Sequence, residues 1–207
     1  MTERPILFTA QNAQQVHKGT KTQTRRLNGL EYVNNVPDAW DFLTLGDGGA
    51  LFQNEHGAES QIIKCPYGTI GDQLWVRESI YIDHFDFFKG PLPKDKPDLD
   101  DGILIYRGDG TCCEQFSECN CAGQGTPWRP SIHMPKWACR TWLELIEVRI
   151  ERLLDISNED AEAEGCQSRE GFEAFEVYAE LWESIHGEGS WNTDPWVWVL
   201  GFKKLVP

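Results

Sequence analysis

Hydrophobic and polar residues alternate in several short runs along the chain, and these runs predict β-strands. The predicted strands lie near residues 5–8, 74–82, 103–107, 140–154 and 196–204. The longest run, "RTWLELIEVRIERLLDI", has apolar side chains at alternate positions over much of its length. The segment "TKTQTRRL" also alternates, with β-branched Thr at every second position, and predicts extended backbone.

Two longer segments and one short one have helical patterns. The segment near residues 10–18 contains good helix formers and ends at Gly19, and the segment near 170–186 carries an apolar stripe at helical spacing. The short segment "SNEDAEAEG" begins with Ser157 as a helix cap and closes with Gly165. Because few helices lie between the predicted strands, the order of elements predicts an α+β fold built as a small mixed barrel.

The length of 207 residues is typical of one domain, so we expect a single domain over residues 1–207. Inserted loops are predicted near residues 30–60, 84–102 and 108–128. The second contains three Pro and many charges, and the third is rich in Gly and Cys. Because the sequence shows neither an 18-residue apolar run nor a signal peptide, we expect a cytoplasmic protein without membrane contact.

Charge is distributed unevenly along the chain. The formal net charge is −14, yet residues 4–30 contain no Asp or Glu and carry Arg4, Lys18, Lys21, Arg25 and Arg26. The overall acidity argues against general nucleic-acid binding, which needs a basic surface. The basic segment predicts one local site for an anionic or nucleotide-like ligand.

Four cysteines cluster in "CCEQFSECNC": Cys112, Cys113, Cys119 and Cys121. Thiolates can hold a structural zinc ion, but zinc ligands are usually separated by two to four residues and these gaps are irregular. The alternative is an inserted loop with reduced thiols, which is the favoured interpretation. No cofactor is required in either case.

The segment "GTKTQTRR" resembles the G-x-K-x-x-T-x-R signature of ASCH domains, which belong to the PUA-like superfold. The segments "GDQLWVRE", "ISNEDAEAEG" and "WVWVLGFKKL" agree with that family in their order. The segment "WRPSIHMPKWACR" is similar to one in prophage-encoded members. The resemblance implies a PUA-like (ASCH) curved, mainly antiparallel β-barrel with a few packed helices.

The resemblance also implies a chemistry. Acetylcytidine amidohydrolases of this superfamily use a Lys, a Thr three residues later and a Glu, which correspond to Lys21, Thr24 and Glu164. A Thr hydroxyl needs an adjacent base, a Lys serves as that base when its pKa is lowered, and a Glu can protonate the leaving amine. Glu159 and Glu162 are alternatives to Glu164 on the same helix. The segment Lys-x-x-Thr beside Arg is equally suited to binding an anion without chemistry.

Further candidates for substrate binding are Arg25, Arg26, Trp75, Arg77, Glu78 and His133. Trp75 is expected either to stack on a nucleobase or to pack in the core. Arg77 and Glu78 point in opposite directions on a strand, so at most one faces a pocket, and a structural ion pair is the alternative. His133 is an acid–base group, a zinc ligand or a partly buried structural residue.

These observations lead to one favoured function and two alternatives. The favoured function is recognition of a modified nucleobase or nucleoside, with hydrolysis of an N-acylated cytidine. The first alternative is an RNA-binding module or ribonuclease of the ASCH type. The second is a non-enzymatic prophage accessory protein that contacts a protein partner through its acidic C-terminal helix.

Overall fold

The computed structural model of the protein describes residues 1–46, 48–57, 62–83, 92–96, 103–110 and 128–205. The chain divides into two compact units. The first unit comprises Met1–Thr2, Thr20–Asp72 and Glu144–Lys203, and the second comprises Glu3–Gly19, Gln73–Leu143 and Lys204–Pro207.

The described helices and strands are named here in chain order. They are β1 (Glu3–Leu7), α1 (Ala10–Lys18), β2 (Gln23–Arg26), α2 (Glu31–Asn34), β3 (Trp40–Gly46), β4 (Gly49–Asn54), β5 (Gln73–Arg77), β6 (Ile80–Asp83), β7 (Ile103–Tyr106), β8 (Trp142–Arg152), α3 (Asn158–Ala163), α4 (Ala174–His186) and β9 (Trp196–Leu205). Short 3-10 turns lie at Pro37–Ala39, Arg107–Asp109, Ser131–His133, Lys136–Ala138 and Leu153–Asp155.

Strand β9 is the centre of the first unit, where it lies between β8 and β2. Strands β2 and β9 are antiparallel, with Thr24 opposite Leu200. Strand β9 is covered on both faces, which explains why its sequence is almost continuously apolar. Helix α4 buries Tyr178 and Trp182 in one core with Val197 and other apolar residues of this unit.

Helix α3 begins where its capping residue predicts, and α4 begins at Ala174, later than the predicted start near residue 170. The Ser157 hydroxyl accepts a hydrogen bond from the backbone N–H of Asp160 at 3.1 Å. At the start of α4, Glu173 and Glu176 form a reciprocal capping box. These caps fix the start of α3, which carries the acidic side chains of the candidate site.

The second unit contains two separate strand pairings. Strands β1 and β5 are parallel, with Ile6 opposite Val76. Strands β6 and β7 form an antiparallel pair, a two-stranded sheet of their own. Helix α1 is capped by Thr9 and ends at Gly19, whose φ of 78° is the left-handed conformation that Gly adopts without strain.

The mixed α and β composition and the multistranded sheet agree with the sequence prediction, but one predicted strand needs correction. The strand predicted over residues 74–82 is two strands, β5 and β6, which belong to different sheets. The break lies at Glu78, whose backbone N–H donates to the Met134 sulfur instead of a strand neighbour. No closed barrel is found among the described residues.

The segment predicted as a loop near residues 30–60 also contains regular structure. It holds α2 and the antiparallel hairpin of β3 and β4, in which Phe42 lies opposite Phe52. Phe52 is buried, and both rings lie within 6.5 Å of Trp196. Most residues of the other two predicted loops lie outside the described residues.

No helix in the described part of the chain is long and apolar enough to cross a membrane.

The Asp72 carboxylate joins the start of the chain to the turn before β5. It accepts hydrogen bonds from the backbone N–H groups of Thr2 at 2.6 Å and Thr69 at 3.2 Å. These bonds, the Thr2 bond first, lower the pKa of Asp72 from 3.8 to about 2. A lowered pKa means that the ionised carboxylate stabilises the folded state.

This stabilisation should be complete above about pH 4 and should disappear as the pH falls toward 2. We expect Asp72→Asn to unfold at lower urea concentration than the wild type at pH 7 and to lose less stability between pH 4 and 2. Urea unfolding at a series of pH values measures both effects. Asp155→Asn, at an exposed aspartate of the same unit, should follow the wild-type curve. Identical pH profiles for Asp72→Asn and the wild type would contradict the assignment.

Candidate functional site

The segment that contains β2 is buried on both faces. Lys21, Gln23, Thr24 and Arg25 are at most 5 % exposed, whereas Thr22 is exposed. Thr22 fixes the segment through its backbone, because its N–H donates to the Ala163 carbonyl at 2.8 Å and its carbonyl accepts from Phe202 at 2.9 Å. These four residues are therefore part of the interior of the first unit, whereas Lys18 of the basic segment is exposed.

Lys21 and Glu164 lie in direct contact. The Lys21 ammonium donates to the Glu164 carboxylate and to the Glu164 backbone carbonyl, each at 2.5 Å. Both side chains are only 2 % exposed. Glu159 and Glu162 are exposed, so Glu164, the residue that follows α3, supplies the carboxylate.

Arg25 is the second buried cation, and its side chain is fully covered. Its guanidinium donates to Asp160 at 2.9 Å, to Glu151 at 3.0 Å and to Glu164 at 3.5 Å. One face of this group lies 5.9 Å from the centre of the Tyr178 ring. Three carboxylates from β8 and α3 therefore converge on one guanidinium.

Arg149 on β8 closes these contacts into a ring. It donates to Asp160 at 2.6 Å and to Glu151, and both of these carboxylates are also bound by Arg25. Burial opposes ionisation of Asp160, but the hydrogen bonds from Arg149 and Arg25 outweigh it and lower the Asp160 pKa. We call Lys21, Arg25, Arg149, Glu151, Asp160 and Glu164 the charge network.

Thr24 lies within the same segment, three residues after Lys21. It is 4 % exposed, and its hydroxyl has no hydrogen-bond partner among the described residues. Two titratable groups near the network are kept neutral: burial raises the Cys166 pKa to about 11 and raises the Tyr178 pKa well above its usual value. The structure thus brings Lys21 and Glu164 together and leaves the Thr24 hydroxyl without a bond.

The other predicted binding residues divide between the two units. Arg25 belongs to the charge network, and Arg26 is partly buried at the end of β2. Trp75, Arg77, Glu78 and His133 all belong to the second unit.

In the second unit Arg77 and Glu78 do not pair with each other. The Arg77 guanidinium lies 5.3 Å from the Trp75 ring centre and donates to the Ile132 carbonyl. Glu78 is 1 % exposed and accepts two hydrogen bonds from Arg140, at 2.9 and 3.0 Å. Burial raises the Glu78 pKa despite these bonds. His133 is exposed in a 3-10 turn, so a buried structural role for it is excluded.

Sequence reasoning missed the arginines that organise both polar clusters, Arg149 and Arg140. A signal for Arg149 was present, because Glu147, Arg149 and Glu151 occupy alternate positions of β8 and share one face. Arg140 carried no comparable signal, since it lies between elements and reaches Glu78 and Asp109, far away along the chain.

The cysteine cluster cannot be placed, since Cys112, Cys113, Cys119 and Cys121 lie outside the described residues. Within the described ranges there is no group of three or more His, Cys, Asp or Glu side chains arranged to hold a metal ion. Cys65, Cys139 and Cys166 are free thiols.

Comparisons of this chain with protein-family models, with curated proteins and with solved structures find no match. The resemblance to ASCH domains therefore rests on the motifs in the sequence.

Replacement of Arg25 should destabilise the protein strongly. In Arg25→Met the carboxylates of Asp160, Glu151 and Glu164 lose a buried cation, and breaking a buried ion pair costs about 3–5 kcal/mol of the free energy of unfolding. The matched control is Arg169→Met, which removes an ion pair to Glu180 whose two side chains are 52 % exposed. That change should cost roughly 1 kcal/mol or less. Urea unfolding measures both, and equal effects would contradict the role given to Arg25.

Proposed function

We propose that this protein is a PUA-like hydrolase of the ASCH type that removes the acyl group from an N-acylated cytidine. The observation that carries the proposal is the 2.5 Å contact between the Lys21 ammonium and the Glu164 carboxylate. It joins two residues 143 positions apart that the resemblance assigns to one active site. Thr24, the third of these residues, is on the same short segment as Lys21.

Lys21, Thr24 and Glu164 can together carry out the reaction, and each proton transfer has a donor and an acceptor among them and the substrate. Glu164 takes a proton from Lys21 across their contact, and the neutral amine then accepts the proton of the Thr24 hydroxyl. The Thr24 oxygen attacks the acyl carbon, the C–N bond breaks, and Glu164 gives its proton to the departing exocyclic amine. Water then cleaves the acyl–Thr24 ester and releases the carboxylic acid.

This sequence of steps requires the Thr24 hydroxyl to turn toward Lys21. The hydroxyl has no hydrogen bond to break among the described residues, so its rotation is not opposed by a competing partner. The Arg25 guanidinium, at 3.5 Å from the other Glu164 oxygen, helps to hold this side chain beside Lys21. The surrounding charge network keeps all these groups in place.

A second candidate function is binding of a nucleoside-like ligand without hydrolysis. It needs no water molecule at the site, where Lys21, Thr24 and Glu164 are each less than 5 % exposed, whereas hydrolysis does. Binding of RNA through phosphates is less favoured, because Lys21 and Arg25 already hold carboxylates and phosphate contacts need available cations. A protein partner on the acidic α4 remains a further alternative, although its Glu176 and Glu180 already serve the capping box and the Arg169 pair.

The test is an assay of N4-acetylcytidine hydrolysis, in which chromatography measures the release of cytidine and acetate. We expect turnover by the wild type and a loss of at least about 100-fold in Thr24→Val, because the nucleophile is removed while the side-chain shape is kept. Thr22→Val is the matched control, since Thr22 is exposed two residues away and holds the segment only through its backbone. It should retain wild-type activity.

The outcomes separate the two candidates. Saturable binding of acetylcytidine without release of acetate would support the binding function and overturn the hydrolase. Full activity in Thr24→Val, with the same melting temperature as the wild type, would exclude Thr24 as nucleophile. Absence of both binding and turnover would contradict both candidates.

A further inference from the structure

The first unit contains an open cavity of about 400 Å³ that includes none of the charge-network residues in its lining. Its walls include Leu27 and Pro195, the α4 residues Trp182 and His186, and the polar residues Glu31 and Ser190. A cavity of roughly 300–1,000 Å³ lined by apolar and aromatic side chains with a few polar groups is typical of a small-molecule site.

An aromatic pair forms one wall of this cavity. The rings of Trp182 and His186 lie one helical turn apart on α4, with centres 4.1 Å apart and planes tilted by 32°. His186 is exposed, whereas Trp182 is 3 % exposed. Burial first, and then the nearby Arg26, lower the His186 pKa, so its ring is mainly uncharged at pH 7. A flat, uncharged surface of this kind favours a planar ring.

Two polar atoms of the lining residues lack partners. The Trp182 indole nitrogen and the Ser190 hydroxyl oxygen are buried and have no hydrogen-bond partner in the described part of the chain. A buried polar group without a partner costs free energy, and its presence calls for a partner from outside the chain. The indole N–H can only donate, so the missing partner must offer an acceptor.

The other polar groups that line the cavity either have hydrogen-bond partners within the protein or restrict the charge of a ligand. The Asn34 carboxamide donates a hydrogen bond to the Trp196 backbone carbonyl at 2.9 Å and accepts one from the Trp196 backbone N–H at 2.8 Å. One Glu31 oxygen accepts from the Gly29 N–H at 3.0 Å. The Glu31 carboxylate disfavours an anionic ligand such as a phosphate and favours a ligand that offers an N–H group.

We propose that this cavity binds a neutral, planar heteroaromatic molecule of nucleoside size, which presents a carbonyl acceptor to Trp182 or Ser190 and an N–H group toward Glu31. A purely apolar ligand would leave both buried polar atoms without partners. The proposal does not depend on hydrolysis at Thr24, because it uses other residues.

Uridine is the probe for the test, because it is neutral, its base is planar and carries carbonyl and N–H groups, and it has no acyl group to hydrolyse. Calorimetric titration of the full chain should show saturable uridine binding. Uridine 5′-monophosphate should bind at least about threefold more weakly because of Glu31, and ribose should not bind. His186→Ala and Ser190→Ala should each weaken uridine binding about five- to tenfold.

Two control variants locate the binding. His56→Ala changes an exposed histidine of the same unit that is not part of the cavity lining, and it should bind uridine as the wild type does. Thr22→Val, at an exposed threonine outside the cavity lining, should also bind uridine normally. Because uridine carries no acyl group, failure of the hydrolase assay and failure of this proposal remain distinct. Loss of binding in Thr24→Val but not in His186→Ala would overturn the proposal. Equal binding of ribose and uridine, or no binding at millimolar concentration, would overturn it as well.

Discussion

Burial of two cations, Lys21 and Arg25, is the constraint on which the arrangement of the first unit depends. Moving a charge out of water costs several kcal/mol unless an oppositely charged group meets it at hydrogen-bond distance. Lys21 is met by Glu164 at 2.5 Å, and Arg25 is met by carboxylates of α3 and β8. Because α3 supplies Asp160 and is followed directly by Glu164, it has to lie against β2 for either cation to be tolerated.

The same pairing explains how an acidic chain keeps a basic segment without any acid of its own. The carboxylates that balance Lys21 and Arg25 come from more than 120 residues further along the chain. These two cations are therefore held inside the fold and are not available to phosphates in solution. At this site a polyanion such as RNA would have to displace the internal carboxylates, whereas an uncharged amide only needs access to the side chains. In the function proposed above, the network therefore favours a neutral substrate over a polymer.

Local features of the fold were predictable from the sequence, and long-range ones were not. Helices α1 and α3 follow from a Gly at the end of one and a Ser at the start of the other, which act within one turn. The break at Glu78 could not be predicted, since it depends on a bond to Met134, 56 residues away. In the candidate site the motif predicted Lys21 and Glu164 as neighbours. The alternation of charged residues along β8 could indicate a charged face of that strand. It could not identify Arg25 as the residue that binds this face.

The two polar clusters differ in what lies beside their Thr hydroxyl groups. In the second unit Arg140 holds Glu78 and Asp109, and the nearby Thr141 hydroxyl is bonded to the His17 ring at 2.9 Å. A hydroxyl at hydrogen-bond distance from an imidazole has a base beside it, which is one requirement of a nucleophile. In the first unit the Thr24 hydroxyl shares a short segment with Lys21, and Lys21 contacts the Glu164 carboxylate. The hydrolysis proposed for the first unit therefore depends on Lys21 as the base, and it requires the Thr24 hydroxyl to come within hydrogen-bond reach of that amine.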